Sequence, residues 1–257
     1  MNKTFIWWKI LCTIAVINIV IWLWALLAHL DVAYISTTQL LLSGFYVLVC
    51  AFRSFYPRID LERYCLFDTP LSSIMLGRSL ATLAELAFTI QCAIIIYDLG
   101  TYLESQLIVF ASYALVPLIV VAQVFCWNAA LTLNHFWHGM EEVMWVIMIA
   151  VAGACCSYGY LNLDGWLKNL MAIGIVASAG AIYIMLFVDI PMYFSRNRNH
   201  ESRGKHYLSI DEGFRDVVKR RIPTSDWAVW KDEVIWISSY FTVGVWLSIS
   251  MAFISFS

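Results

Sequence analysis

Long apolar stretches separated by short polar ones dominate the chain. A helix needs about 20 apolar residues to cross the hydrocarbon core of a bilayer. Seven stretches reach or approach this length, and we predict that each forms a membrane-spanning helix. The pattern therefore predicts an all-α, polytopic integral membrane bundle in a single transmembrane domain, 1–257. The predicted spans are about 5–28, 36–52, 72–97, 106–133, 141–161, 168–194 and 233–256.

The basic residues predict how this bundle is oriented. Cytoplasmic loops of membrane proteins carry an excess of Lys and Arg. If the N-terminus is cytoplasmic, only Lys168 of the 16 Lys and Arg residues falls on the outer side. This asymmetry predicts a cytoplasmic N-terminus and a C-terminus outside. It also supports counting 36–52, the shortest stretch, as a span, because removing it would scramble the asymmetry.

The composition agrees with a membrane protein. Hydrophobic residues make up 61% of the chain and charged residues 13%, whereas soluble domains are near one half and one quarter. We therefore expect a multi-pass protein of a plasma, inner or internal membrane, with the lipid bilayer as its first partner. A net charge of -2 gives no reason to expect a nucleic-acid partner. Seven cysteines without paired spacing are expected to pack in the core rather than form disulfides.

One polar stretch, 195–232, is long enough to hold structure of its own, and the predicted orientation makes it a cytoplasmic loop. Within it, Ser209 and Glu212 have the spacing of a capping box, which predicts a short amphipathic helix. No soluble catalytic module is recognisable there. The loop is instead a candidate docking surface for a protein partner.

Ionisable residues inside spans are costly and are treated as functional candidates. Glu85 lies about 16 Å along the third span, near the bilayer midplane, and shares a helical face with Arg78. Arg78 is two turns away, too far along the axis to assure a direct pair. We predict that Glu85 is a buried acid and that Arg78 belongs to its pocket. The alternative is that Glu85 only holds helices together.

Further polar residues lie at comparable depths in other spans. Gln123 is about 16 Å and Asn128 about 9 Å from the cytoplasmic end of the fourth span. Asp189 lies about 10 Å from Arg196 in the sixth span, just before Pro191, which interrupts the helix. Asp189 is therefore either a site residue or a carboxylate that reaches toward the interface.

The stretch NHFWHGMEEVMW, residues 134–145, concentrates more ligand and acid/base groups than any other. If it is helical, its histidines and glutamates share one face and supply up to three metal ligands, with a carboxylate left as base. The expected ion is divalent, Zn, Fe or Mn. Gly139 would interrupt such a helix, and the stretch is also the connection between two spans, so a plain polar turn remains an alternative. The predicted metal ligands are His135, His138, Glu141 and Glu142.

These polar residues predict a pocket that opens to the cytoplasm. The leading hypothesis is an enzyme, an isomerase, a cyclase or a metal-dependent enzyme, that acts on a lipid or isoprenoid-like small molecule. The predicted catalytic residues are Glu85, Glu142, Asp189 and His138, and the predicted pocket residues are Arg78, Gln123, Asn128, Trp145 and Tyr240.

Two other classes remain open. A proton- or ion-coupled transporter or channel also requires intramembrane carboxylates, but the chain shows no internal repeat and few polar residues in the outer half of its spans. A non-catalytic subunit of a membrane complex would use the same carboxylates as interhelical bonds and the loop 195–232 as its contact surface.

Overall fold

The computed structural model describes residues 2–29, 36–202 and 207–256. It is 83% helical, and within the described residues seven helices are long and apolar enough to cross a membrane. The all-α class is thus confirmed, and the protein has the helices of a multi-pass membrane protein. The first five of these helices are α1 (Lys3–His29), α2 (Thr37–Phe55), α3 (Ile74–Tyr102), α4 (Gln106–Thr132) and α5 (His135–Asn162).

The sixth candidate span, Gly165–Asn199, changes its hydrogen-bond pattern part-way along. It consists of α6 (Gly165–Ile184), a π-helical segment (Met185–Asp189) and α7 (Ile190–Ser202). Pro191 has no backbone N–H to donate, and a wider turn beside a proline accommodates the missing bond. The interruption predicted near Pro191 is therefore present as a π-helical segment that contains Asp189.

Short elements join the sixth and seventh spans. Helix α8 (Ile210–Lys219) is followed by a two-residue strand and by α9 (Trp227–Trp230). The Ser209 backbone N–H donates to Glu212 Oε2 at 2.9 Å, and the Glu212 N–H donates to Ser209 Oγ at 3.4 Å, which is the reciprocal bonding of a capping box. The seventh span comprises α10 (Val234–Ser239), a π-helical segment (Tyr240–Gly244) and α11 (Val245–Met251).

Helix α5 begins earlier than the sequence predicted. The predicted span started at 141, and the sequence left open whether the residues before it are helical or a polar turn; the helix starts at His135. Asn134 caps it by accepting a hydrogen bond from the Phe136 N–H at 2.9 Å. Gly139 does not interrupt the helix, and the absence of a side chain there leaves room for the ring of Phe194.

Contacts divide the chain into two compact units. The first contains residues 1–91 and 214–255, and the second contains 92–213 and 256–257. No change in composition marks these borders in the sequence. The single transmembrane domain stays a prediction.

A three-stranded sheet joins two segments of the chain at one end of the first unit. Strand β1 (Arg58–Ile59) pairs antiparallel with β2 (Tyr64–Cys65), which pairs parallel with β3 (Ile222–Pro223). Arg63 adds an ion pair, with Nε 2.7 Å from Asp216 Oδ2. The N-terminus joins the same end, because the side chains of Asn2 and Thr4 donate to the Ser225 carbonyl.

Candidate functional site

The second unit contains an imidazole–carboxylate pair in the first turns of α5. His138 Nδ1 lies 2.6 Å from Glu141 Oε2. The spacing i, i+3 places both side chains on one helical face, and the cap at Asn134 allows the helix to start early enough for that geometry. The Glu141 side chain is 5% exposed and that of His138 is 20% exposed. The carboxylate is thus buried while the imidazole remains reachable.

Cys126 completes this cluster from the neighbouring helix. Potential ligand atoms of Cys126, His138 and Glu141 all lie within 4.8 Å of one another. Leu133, with φ of 59°, ends α4 in a left-handed conformation and reverses the chain. Cys126 lies seven residues before Leu133, and Glu141 lies seven after Asn134. We did not predict Cys126 as a site residue, although this symmetry about the turn would have indicated it.

Aromatic side chains of α7 pack against the same turns of α5. The Tyr193 ring is 4.3 Å from the His138 ring and 6.5 Å from the His135 ring, measured between centroids. The Arg196 guanidinium lies 5.9 Å from the centroid of the Tyr193 ring. Tyr193 therefore limits the positions open to His138, which the sequence did not predict.

The predicted metal set is brought together in part. His138 and Glu141 belong to the cluster with Cys126, and among the described residues that cluster does not include His135 or Glu142. Their proposed ligand roles stay predictions.

Other predicted residues of the second unit have different surroundings. Asn128 Nδ2 donates to the Val124 carbonyl of its own helix at 2.8 Å. Gln123 and Asp189 are buried, with 5% and 2% of their surface exposed, and Trp145 is half-buried.

The first unit contains a charged network, which we call the Arg78 network. Arg78 Nη2 lies 2.6 Å from Glu85 Oε1, and Arg78 Nη1 lies 3.8 Å from Asp60 Oδ2. The Tyr240 hydroxyl donates to Glu85 Oε1 at 3.4 Å. The direct pair between Arg78 and Glu85, which the axial distance alone did not assure, is present. Asp60 is the member that the sequence did not indicate.

The sequence also did not predict a network of hydrogen bonds among uncharged residues in the same unit. Gln91 Nε2 donates to the carbonyls of Gln39 and Ser248, each at 3.0 Å. The Ser248 hydroxyl donates to Gln91 Oε1 at 2.5 Å, and Gln39 Nε2 donates to the Gln91 carbonyl at 3.0 Å. Each donor finds an acceptor on another span, as expected of polar residues that join helices in a membrane.

Comparison with known proteins identifies no relative. No protein-family model, no curated protein and no solved structure matches this chain. The candidate functional groups are therefore the cluster of His138, Glu141 and Cys126 and the Arg78 network. Glu85 and Gln123, which we predicted at one depth, belong to different units, and their shared pocket stays a prediction.

Proposed function

We propose that this protein is an integral membrane enzyme that transfers protons to and from a lipid or isoprenoid-like substrate. The observation that carries the proposal is the 2.6 Å contact between His138 and the buried carboxylate of Glu141. Both residues lie within α5, one of the helices able to span a membrane. A buried acid/base pair there serves a substrate that is dissolved in the bilayer.

The pair has the arrangement required for general acid–base catalysis. A carboxylate bonded to Nδ1 fixes the imidazole orientation and its tautomer, so proton exchange with a substrate takes place at Nε2. His138 is then the catalytic residue and Glu141 its positioning residue. Such catalysis contributes about 10²–10⁴-fold to a rate, which suits double-bond isomerisation or cyclisation.

The remaining predicted carboxylates keep secondary roles in this proposal. Asp189 is buried in a π-helical segment of the same unit, and such segments occur frequently at functional sites. We assign it, or Glu142, as the second acid/base group. Glu85 is a weaker candidate acid than the sequence indicated, because its carboxylate already pairs with Arg78 at 2.6 Å.

A metal-assisted reaction is the second candidate, favoured by the proximity of Cys126 to the pair. Thiolate, imidazole and carboxylate together suit Zn²⁺. However, ligands of a tetrahedral zinc ion lie about 3.3 Å or more apart, while His138 Nδ1 and Glu141 Oε2 are 2.6 Å apart. A metal would have to replace their hydrogen bond, and we therefore rank proton transfer first.

The proposed orientation places the N-terminus in the cytoplasm and the C-terminus outside. It is supported by the sheet of the first unit, which joins the segment before α3 to a segment before the seventh span. The N-terminal Thr4 also bonds to Ser225. All three segments are on the cytoplasmic side in the proposed topology. Arg203 and Lys205, which contribute to the predicted charge asymmetry, lie outside the described residues.

Deuterium labelling tests the proposal without knowledge of the substrate. The full chain, reconstituted in nanodiscs with lipids extracted from cells that express it, is incubated in D₂O and the lipids are analysed by mass spectrometry. The parent should introduce deuterium at carbon into at least one lipid. His138→Ala should lower the rate about 100-fold or more.

His29→Ala is the matched control, because His29 bonds to Thr37 in the first unit, and it should label lipids at the parental rate. Equal labelling by the His138→Ala protein, or none by the parent, would contradict proton transfer and favour the non-catalytic subunit. Elemental analysis of the parent and Cys126→Ser separates the two mechanisms. Stoichiometric zinc that is lost in Cys126→Ser would favour the metal.

A further inference from the structure

Arg58, in strand β1 of the first unit, combines deep burial with unused hydrogen-bond donors. It is 4% exposed, and its Nη1 donates to the Ser73 carbonyl at 2.7 Å. Its Nε and Nη2 have no hydrogen-bond partner among the described residues. A buried donor without a partner is destabilising, so two such donors on one guanidinium indicate that an acceptor binds there.

The geometry of these two nitrogens indicates the kind of acceptor. Nε and Nη2 form one edge of the guanidinium, the fork that binds two oxygens of a carboxylate or phosphate at once. The guanidinium lies against Gly77 so closely that a Cβ there would overlap it, and its centre is 5.5 Å from the Phe52 ring. Its position is therefore fixed by glycine, ring and carbonyl contacts rather than by a carboxylate.

The surrounding charges favour an anion. Arg53 and Arg78 are its positive neighbours and Asp60 is the negative one. Burial, and then these arginines, lower the pKa of Arg58 to about 10, so the group is still a cation at neutral pH. Within the described residues Arg58 forms no salt bridge, and the two carboxylates of the Arg78 network leave one of the three arginines in excess.

Position along the chain indicates that this anion is a phosphate group. Helix α2 ends at Phe55 and α3 begins at Ile74, so Arg58 lies just beyond the end of one span and near the start of another. Phosphate groups of lipids are concentrated at this depth, and basic pockets between spans bind them. We propose that Arg58, with Arg53 and Arg78 beside it, binds a phosphate group through its Nε–Nη2 edge. The site is independent of His138 and Glu141.

Two substitutions test this edge without removing charge. Arg58→Lys keeps the cation but loses the two-nitrogen fork, and Gly77→Ala keeps every charge but displaces the guanidinium. Arg220→Lys, on an exposed arginine, controls for the first. Gly180→Ala, where a Cβ meets nothing within 4 Å, controls for the second.

Native mass spectrometry of the detergent-solubilised full chain provides the measurement. Dioleoyl phosphatidylglycerol is compared with dioleoylglycerol, which has the same acyl chains without phosphate, and inorganic phosphate is titrated separately by calorimetry. The parent should prefer phosphatidylglycerol by about tenfold or more, the value of one charged hydrogen bond. Arg58→Lys and Gly77→Ala should lose that preference, and both controls should keep it.

The two probes separate a lipid headgroup from free phosphate. Tight phosphatidylglycerol binding with no response to inorganic phosphate assigns a lipid. Inorganic phosphate that binds and displaces phosphatidylglycerol assigns a soluble ligand. Binding of neither, or a preference retained in both Arg58→Lys and Gly77→Ala, overturns the proposal. If Arg58→Lys does not fold, Gly77→Ala provides the test. The preference of the parent for phosphatidylglycerol is then also measured against salt, and it must weaken as the salt concentration rises.

Discussion

The two units place their charged residues in contrasting surroundings. In the first, Arg78 joins Glu85 of its own helix to Asp60 of the preceding loop, and Tyr240 of another span bonds to the same carboxylate. In the second, His138 and Glu141 are three residues apart and the imidazole is partly exposed. In the function proposed above, the buried charges of the first unit are part of the packing, whereas the pair of the second unit, with one partly exposed member, carries out the chemistry. Mutations in the first unit should therefore affect folding, and those in the second should affect rate.

The largest expected effect is on the Arg78 network. Arg78→Leu leaves Glu85 and Asp60 buried without their cation, and should lower the free energy of unfolding by about 3–5 kcal/mol. The measurement is reversible denaturation in mixed micelles. The double variant Arg78→Leu/Glu85→Leu is the control and should recover most of the loss, because no charge of the direct pair is then buried alone. A double variant as unstable as Arg78→Leu would show that the pair is not what matters.

Glu141→Gln should affect the labelling rate more than the free energy of unfolding. It keeps the size of the side chain and removes the charge that positions His138, so deuterium labelling should slow by about 10²–10⁴-fold. The free energy of unfolding should fall by about 1–3 kcal/mol, the range for one lost charged hydrogen bond. A normal rate, or unfolding like that of Arg78→Leu, would assign the pair to packing and remove the contrast between the units.

The neutral network around Gln91 should give a smaller loss. Gln91→Leu removes bonds to Gln39 and Ser248, and such bonds average about 0.6 kcal/mol in membrane proteins. A total loss of about 1–2 kcal/mol is expected in the same denaturation assay, with an unchanged labelling rate. A loss as large as that of Arg78→Leu would mean that charge is not what distinguishes the Arg78 network.

The capping box should show the smallest effect. Ser209→Ala removes the side-chain acceptor at the start of α8 and should destabilise that helix by about 1 kcal/mol. Hydrogen exchange of the amides at Ile210–Lys219 measures this change. The labelling rate should stay parental, and Ser209→Asn should restore protection because Asn also caps helices well.

Two features of the structure were not decided by the sequence, for identifiable reasons. Hydropathy placed the start of the fifth span at 141, because the preceding residues include Asn134, His135 and His138, which lower the local average. The helix begins at His135, where Asn134 caps it, and an average over hydropathy does not register a capping residue. The pair between Arg78 and Glu85 was left unassured because axial rise alone was counted, and the length of the arginine side chain was not.

The sequence determined the class of this protein and its number of candidate spans, because the free energy of placing a helix in a membrane is close to a sum over its own residues. It also indicated which ionisable residues within spans were costly enough to count as functional candidates, Glu85 and Asp189 among them. Tertiary structure decided which groups meet. The contacts of Asp60 with Arg78, Tyr240 with Glu85, and Cys126 with the His138 pair join different elements, which in the case of Tyr240 and Glu85 are 155 residues apart in the chain. Such meetings depend on how helices pack, which no local average over the sequence contains.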